Sequence, residues 1–195
     1  MNRDTDQYYI ERTMQGDTQA FGVLVERYQD FIFTIVLRIL KIREEAEEVA
    51  QDAFIKAFES LSSFRGESKF SSWLYSIAYR KALDRLRKNK KYAATELLEE
   101  VTEGNIESIE NALEYLQDKE RKQMIQECIL QLPEDDAAIV TFYYFEDQSV
   151  REIATITGLT QDNIKIKLYR SRKKLFNLLK YFILPEISNS NGQAI

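Results

Sequence analysis

The stretch from Gln148 to Leu175, QSVREIATITGLTQDNIKIKLYRSRKKL, leaves a chain little freedom in how it can fold. Val150, Ile153 and Ala154 recur at helical spacing. Gly158 can take the left-handed conformation that closes a helix, and Thr160 is a suitable N-cap for the next one. Beyond it Ile164, Leu168 and Leu175 keep to one face, while Lys165, Lys167, Arg170, Arg172, Lys173 and Lys174 lie elsewhere. No acid occurs between Asp162 and Glu186. The spacing predicts a helix-turn-helix whose second helix is strongly basic, a shape suited to the major groove of duplex DNA. Two packed helices around a glycine also occur in folds that touch no DNA. What separates the cases is coincidence: a small Ala154 for close contact, Gly158 in the turn, a capping Thr160 and unopposed cations fall at the offsets a groove reader needs.

Composition bears on the rest of the chain. Hydrophobic residues at 44% and aromatics at 12% are enough to build cores, so global disorder is not expected. Only six glycines and two prolines interrupt 195 residues whose apolar spacing is helical almost throughout, which predicts an all-α protein. A lone Cys128 rules out an internal disulfide and suits a reducing compartment. The absence of histidine removes the usual zinc sites and His-based nucleophile triads, no glycine-rich phosphate loop occurs, and the carboxylates mark out no pair. No catalytic residue, metal, cofactor or small-molecule substrate is therefore expected. The N-terminus does not read as a secretory leader, and the most apolar run, Phe31 to Leu40, is too short to cross a bilayer and carries Arg38. The expected location is cytoplasmic.

The net charge of −5 sits oddly with DNA binding until the charges are placed. Cations gather in Arg80–Lys91 and Lys165–Lys180, and acids between Glu96 and Glu120. Segregation matters more than the sum. An acidic total still weakens the encounter of the free chain with DNA, which predicts a larger, basic partner that helps it bind.

Taken in order, the periodicity predicts a first helix over Asp6–Met14 and a second capped by Asp17 or Thr18 with a stripe from Phe21 to Ile39. A third spans Arg43–Leu61. It buries Ala46, Val49, Ala50, Ala53, Phe54, Ala57 and Leu61, and Glu44, Glu47, Glu48, Gln51 and Asp52 lie outside. These acids are either an ordinary solvated face or a docking face. Ser62–Lys69 is a polar break around Gly66, and from Phe70 helical spacing resumes through Trp73, Leu74, Ile77 and Leu86 toward a basic end. Aromatics beside cations are what a single-strand surface needs, yet Phe70 and Trp73 fall on the apolar stripe and are expected in the core; Phe64, in the loop, is left open. Thr95–Asn111 is acidic with no Lys or Arg and is expected to be a linker. A helix over Ala112–Leu132 follows, Pro133 suits the first turn of another, and Ala137, Ile139, Val140, Phe142, Tyr143 and Phe145 supply the core under the helix-turn-helix. The fold expected is two small helical domains joined by an acidic linker: 1–92, linker 93–111, a helix-turn-helix domain 112–184 and a frayed tail 185–195.

The order of motifs then becomes recognisable. Gly16, Asp17, Ala20, Phe21 and Leu24, then EEAEEVAQDAFIKAF, then FRGESKFSSWLYSIAYRKALDRLRK, and finally LPEDDAAIVTFYYFEDQSVREIATITGLT together resemble bacterial RNA polymerase sigma factors. The size and the two-part layout resemble the extracytoplasmic function (ECF) group, and the likeness covers nearly the whole chain apart from the linker and tail.

That resemblance implies a set of roles. The front half would bind core RNA polymerase through Glu47, Glu48, Gln51 and Asp52, and would open promoter DNA at the minus-ten element. The loop of Phe64, Arg65, Gly66, Glu67, Ser68 and Lys69 would hold a base flipped from the non-template strand, with Arg80, Arg85, Arg87 and Lys88 gripping the strand; extruding a base costs a few kcal/mol that such a pocket can return. The back half would lay its second helix in the minus-thirty-five groove. Thr160, Gln161, Asn163, Lys165 and Lys167 would face base edges, and Arg170, Arg172 and Lys173 phosphates. The linker would run toward the RNA exit path, or be a solvated spacer. An inhibitory anti-sigma factor, commonly membrane-bound in this group, would hold the protein inactive. The chain departs from the family pattern at Ser76, Tyr79 and Arg80, and at Ile166, which would either touch a thymine methyl or be a neutral substitution. Two competing accounts are a helix-turn-helix regulator that binds duplex DNA without polymerase, and a helical adaptor with no DNA dependence.

Overall fold

The computed structural model describes the backbone of residues 5–90 and 118–190, and side chains over 5–89 and 123–179. The expected acidic linker lies outside these residues. The described segments are helical with no strand among them: α1 Asp6–Met14, α2 Thr18–Leu40, α3 Arg43–Glu59, a 3-10 turn Leu61–Ser63, α4 Phe70–Lys90, α5 Asp118–Leu130, α6 Glu134–Phe145, α7 Val150–Thr157 and α8 Gln161–Ser190.

Each boundary has a local cause. Thr5 caps α1 through its side chain, and Gly16, at φ 99°, turns the chain so that the Asp17 carboxylate accepts from the amides of Gln19 and Ala20 to begin α2. Asp6 takes a bond from Arg27 at 2.5 Å and another from the Tyr28 hydroxyl at 2.5 Å, strapping α1 to α2. The α3 helix buries Ala46, Ala50, Ala53 and Ala57 beside Val49 and Phe54, and these small residues let its backbone come close to α2 and α4. It stops at Glu59, short of the expected Leu61, because the Ser60 and Ser63 hydroxyls bond the carbonyls of Lys56 and Ser60 and tighten the chain into the 3-10 turn. Pro133 precedes α6, whose first turn carries Glu134, Asp135 and Asp136 where the helix dipole favours acids. At the other end of the chain α8 runs past Pro185 to Ser190, so helix extends over part of the expected frayed tail.

The helix-turn-helix forms as its residues dictate. Ser149 and Glu152 make a reciprocal capping box on α7, Gly158 closes it at φ 77°, and the Thr160 hydroxyl accepts from the Asn163 amide to start α8. Ile153, Ile156, Ile164 and Leu168 are buried beneath it. Cys128 on α5 is buried with Phe176 and Leu179 of α8.

The two halves share one core. α6 packs on α2 and α7 on α4, and a single buried apolar cluster runs from Ile10 to Leu168. Phe142 of α6, fully buried, sits among Phe31, Tyr75 and Tyr79 of the front half at ring separations of 6.0, 5.8 and 6.5 Å. Sequence reasoning placed Phe142 in the core of the back half; the structure makes it the link between the halves.

Candidate nucleic-acid interface

Three surfaces can be assembled from these elements. The first is the outer face of α8. Gln161, Asn163, Lys165, Arg170 and Arg172 are exposed there, with Thr160 at its leading edge. Lys165 makes only an exposed pair with Asp162, at 3.2 Å. Lys167 differs: its ammonium is turned inward onto Asp136 at 2.7 Å and Asp135 at 3.9 Å, so in this arrangement it is engaged by α6 rather than presented outward. Lys173 is half-buried. Two apolar residues complete the face, Ile166 at 48% and Tyr169 at 62% exposure. Sequence reasoning noticed Ile166 but not Tyr169. The signal was available, since a Tyr between Ile166 and Arg170 falls off the buried stripe of Ile164, Leu168 and Leu175.

The second surface is the loop before α4 and the groove beside it. Arg65, Gly66, Glu67, Ser68 and Lys69 are exposed, and Gly66 holds a left-handed φ of 74°, which favours glycine at the tip. Phe64 is half-buried and packs its ring on Phe70 at 5.7 Å and on Trp73 at 5.4 Å. It anchors the base of the loop rather than projecting from it. Phe70 is buried as expected; Trp73 is only partly so, and lines a groove of about 640 Å³ with Lys56, Ser63, Ile77, Arg80 and Lys81. This groove brings an indole edge and three cations together, a combination that the linear sequence spreads over two helices. Arg80 and Lys88 are exposed, and Arg87 is exposed with Asp84 at 3.1 Å. The pattern departures at Ser76 and Tyr79 turn inward: Ser76 is buried and donates to the Trp73 carbonyl, and the Tyr79 hydroxyl donates to Asp135 of the back half.

The third surface is α3. Glu47 and Gln51 are exposed on its outer stripe, which continues to Ile55 and Phe58 at 57% and 42% exposure, and the groove between α2 and α3 has Val25, Phe33, Ala50 and Phe54 in its walls. Glu48 and Asp52 lie round the helix toward α4. Arg85 forms a forked pair with Glu48 at 2.7 and 3.0 Å, and Lys81 reaches Asp52 at 3.5 Å. The Arg85 hydrogen bonds hold the Glu48 carboxyl below its usual range, and the same contact raises the guanidinium. Residues assigned from sequence to two different partners thus neutralise one another at the α3–α4 edge, while Glu47 is paired only along its own helix, with Arg43 at 3.0 Å.

Among the described residues no cluster of acids, cysteines or histidines could hold a metal ion, and no helix is long and apolar enough to cross a membrane.

Comparison with known proteins agrees with this layout. Residues 24–92 match the family model for Sigma-70 region 2, and residues 122–175 match that for Sigma-70 region 4. The chain is 35% identical over 189 residues to the RNA polymerase sigma-H factor of Pseudomonas aeruginosa, covering 92% of this chain and 96% of that protein. It is 32% identical over 185 residues to the ECF RNA polymerase sigma-E factor of Escherichia coli K12, with 92% and 96% covered. With the ECF sigma factor SigW of Bacillus subtilis the identity is 33% over 180 residues, covering 88% and 95%. In fold it is similar to the sigma factor RpoE of Bartonella quintana, solved with the anti-sigma factor NepR, at a TM-score of 0.63 and 21% identity, with 82% of this chain and 96% of that one covered. It is likewise similar to CnrH, solved with the cytosolic domain of CnrY, at a TM-score of 0.57 and 21% identity, with 91% and 99% covered.

Proposed function

Because the chain belongs to the ECF group of bacterial RNA polymerase sigma factors, we propose that it joins core RNA polymerase and directs initiation at promoters carrying minus-ten and minus-thirty-five elements. The observation that carries this is the match to both sigma regions in one chain, each falling on a half with its own candidate surface. A protein of this kind supplies recognition and leaves the chemistry to the polymerase, so it performs no reaction of its own. Its place of work is where the polymerase is, in the cytoplasm.

Polymerase docking falls to the outer stripe of α3. Glu47 and Gln51 form its polar part, and Ile55 and Phe58 extend it with apolar area. Glu48 and Asp52 border it and brace α4 through Arg85 and Lys81. This suits a partner surface that is basic and amphipathic.

The loop Phe64–Lys69 adjoins the groove of Trp73, Lys56, Arg80 and Lys81 through Phe64, whose ring packs on Trp73. An unstacked base entering it meets an aromatic edge and backbone polar groups, and the adjoining phosphates meet cations, with Arg87 and Lys88 further along. On α8, Thr160, Gln161, Asn163 and Lys165 face base edges, with Ile166 and Tyr169 beside them. Lys167 joins them only if it leaves Asp136. Arg170, Arg172 and Lys173 meet phosphates. One structural neighbour was solved with an anti-sigma factor, which supports control of this chain by an inhibitor of the same class.

The experiment is reconstitution. The purified chain added to core polymerase should give promoter-specific transcripts while binding the same duplex weakly by itself. Tight binding to a symmetric duplex without polymerase, and no transcript with it, would favour the regulator.

A further inference from the structure

Lys167 breaks a row that the rest of α8 presents outward. Asn163, Lys167 and Arg170 follow one another four and then three residues apart, so they lie along one line of the helix surface. Asn163 and Arg170 are exposed, while Lys167, between them, is half-buried. The cause is on α6. Asp136 stands in the first turn of that helix, where the dipole favours a carboxylate, and the residues that follow it, Ala137, Ala138 and Ile139, are buried and fix it in place. Its Oδ1 accepts from the Lys167 Nζ at 2.7 Å, and the lysine and aspartate side chains are only 26% and 15% exposed. Asp135 stands farther off, at 3.9 Å, and already accepts from the Tyr79 hydroxyl at 3.0 Å. Asp136 is therefore the residue that holds the lysine.

Lys165 gives the contrast within the same helix. Its pair with Asp162, at 3.2 Å, is exposed on both sides and lies within one turn of α8. Such a pair is screened by water and salt and yields to a phosphate at little cost. The Lys167 pair is mostly out of water and joins two packed helices, so opening it strips a partner from two poorly solvated charges. DNA entering the groove competes for Lys165 on easy terms and for Lys167 on hard ones.

From this geometry we propose that Asp136 is a positioning residue of the minus-thirty-five surface: it touches no DNA, yet it keeps Lys167 on α6 when α8 enters the groove, so that the promoter meets one cation fewer than α8 carries. The inference rests on the minus-thirty-five reading proposed above.

The test uses the full chain bound to core polymerase and follows promoter affinity between about 50 and 200 mM salt, a range over which each cation engaged by DNA makes the loss about threefold larger. Asp136→Asn, which keeps the shape and removes the charge, should make that loss about threefold larger. Lys167→Ala in the wild-type background should leave it unchanged, and Lys167→Ala added to Asp136→Asn should restore the wild-type value. The double variant separates release of Lys167 from the mere loss of an acid near DNA, whose effect would survive removal of the lysine. A smaller salt effect for Lys167→Ala alone, no change for Asp136→Asn, or a change that Lys167→Ala does not reverse overturns the proposal. A second measurement needs no DNA: acylation of the free chain by acetic anhydride, read by mass spectrometry, should be several-fold slower at Lys167 than at Lys165 and about equal at the two in Asp136→Asn. If the wild-type complex binds no promoter, it is the promoter function that fails, and this ratio alone then judges the hold on Lys167: a slow Lys167 supports it and equal rates refute it.

Discussion

Gln161 and Lys165 face outward from the start of α8 with nothing but the exposed Asp162 to hold the lysine. Arg170 and Arg172 follow farther along the same helix. The two pairs should fail differently. Replacing Gln161 or Lys165 with Ala changes which minus-thirty-five sequence is preferred, by about 1–3 kcal/mol at the affected position. Replacing Arg170 or Arg172 weakens binding about equally on all sequences and lowers the salt slope by about one per cation lost. Affinities measured over a panel of single-base variants at several salt concentrations separate the two; a uniform loss for Lys165→Ala would remove it from base contact. On α3, Glu47→Lys should weaken polymerase binding and leave the melting temperature unchanged, whereas Glu48→Lys faces Arg85 and should lower the melting temperature as well. Equal melting temperatures would mean that the Arg85 fork does not brace α4. Much at this scale was legible from sequence, including the Thr160 cap, the Gly158 turn and the exposed cations. Side-chain pairing between helices was not, because Lys167 meets Asp136, and Arg85 meets Glu48, only once separate helices have packed.

At the scale of elements, α7 depends on Glu152, which closes its capping box and pairs with Lys69 of the front half at 2.8 Å. The Lys69 hydrogen bond, followed by those of Ser149, pulls this carboxyl from 4.5 to about 2. A depressed carboxyl contributes its stability in full above the unfolded value and loses it as pH falls toward the folded one. The difference in melting temperature between wild type and Glu152→Gln should therefore be constant above pH of about 5 and shrink steadily as pH falls toward 2. A difference that persists unchanged at pH 2 would contradict the pairing. Phe142 makes a second case. Its replacement by Ala removes a fully buried ring from between three aromatics and should cost about 3–5 kcal/mol, with the halves coming apart. Hydrogen exchange should rise along Phe31, Tyr75 and Tyr79 while α8 keeps its protection; loss of protection throughout would mean that the two halves have no separate stability. Periodicity gave α1 to its ends and α2 and α4 closely, since long amphipathic stripes with clear caps leave little choice. It overran α3 because two serines competing for backbone bonds are a local effect that apolar spacing does not register.

Over the whole molecule, the two-part order was legible from composition and motif sequence, and the family comparisons bear it out. The contact between the parts was not. Phe142 satisfies the apolar pattern of its own helix, and nothing in a linear pattern distinguishes a residue that fills its own domain from one that fills another, while Phe31, Tyr75 and Tyr79 fall beside the stripes read for their helices. Arg38 was the one hint, a cation inside the most apolar run, and its hydroxyl partner, Thr141, lies 103 positions away. Arg38→Met keeps the bulk and removes the buried charge, so it should raise the melting temperature; a lower melting temperature would show that the bond to Thr141 outweighs the cost of burial. The account is tested most directly by the distance between labels on Arg65, in the loop, and Arg172, on α8, measured in the free chain and again in the complex with polymerase and promoter. It predicts a single short distance in the free chain and a separation of roughly 85 Å at the promoter, the rise of about 25 base pairs of B-form DNA. The same distance in both states would contradict it.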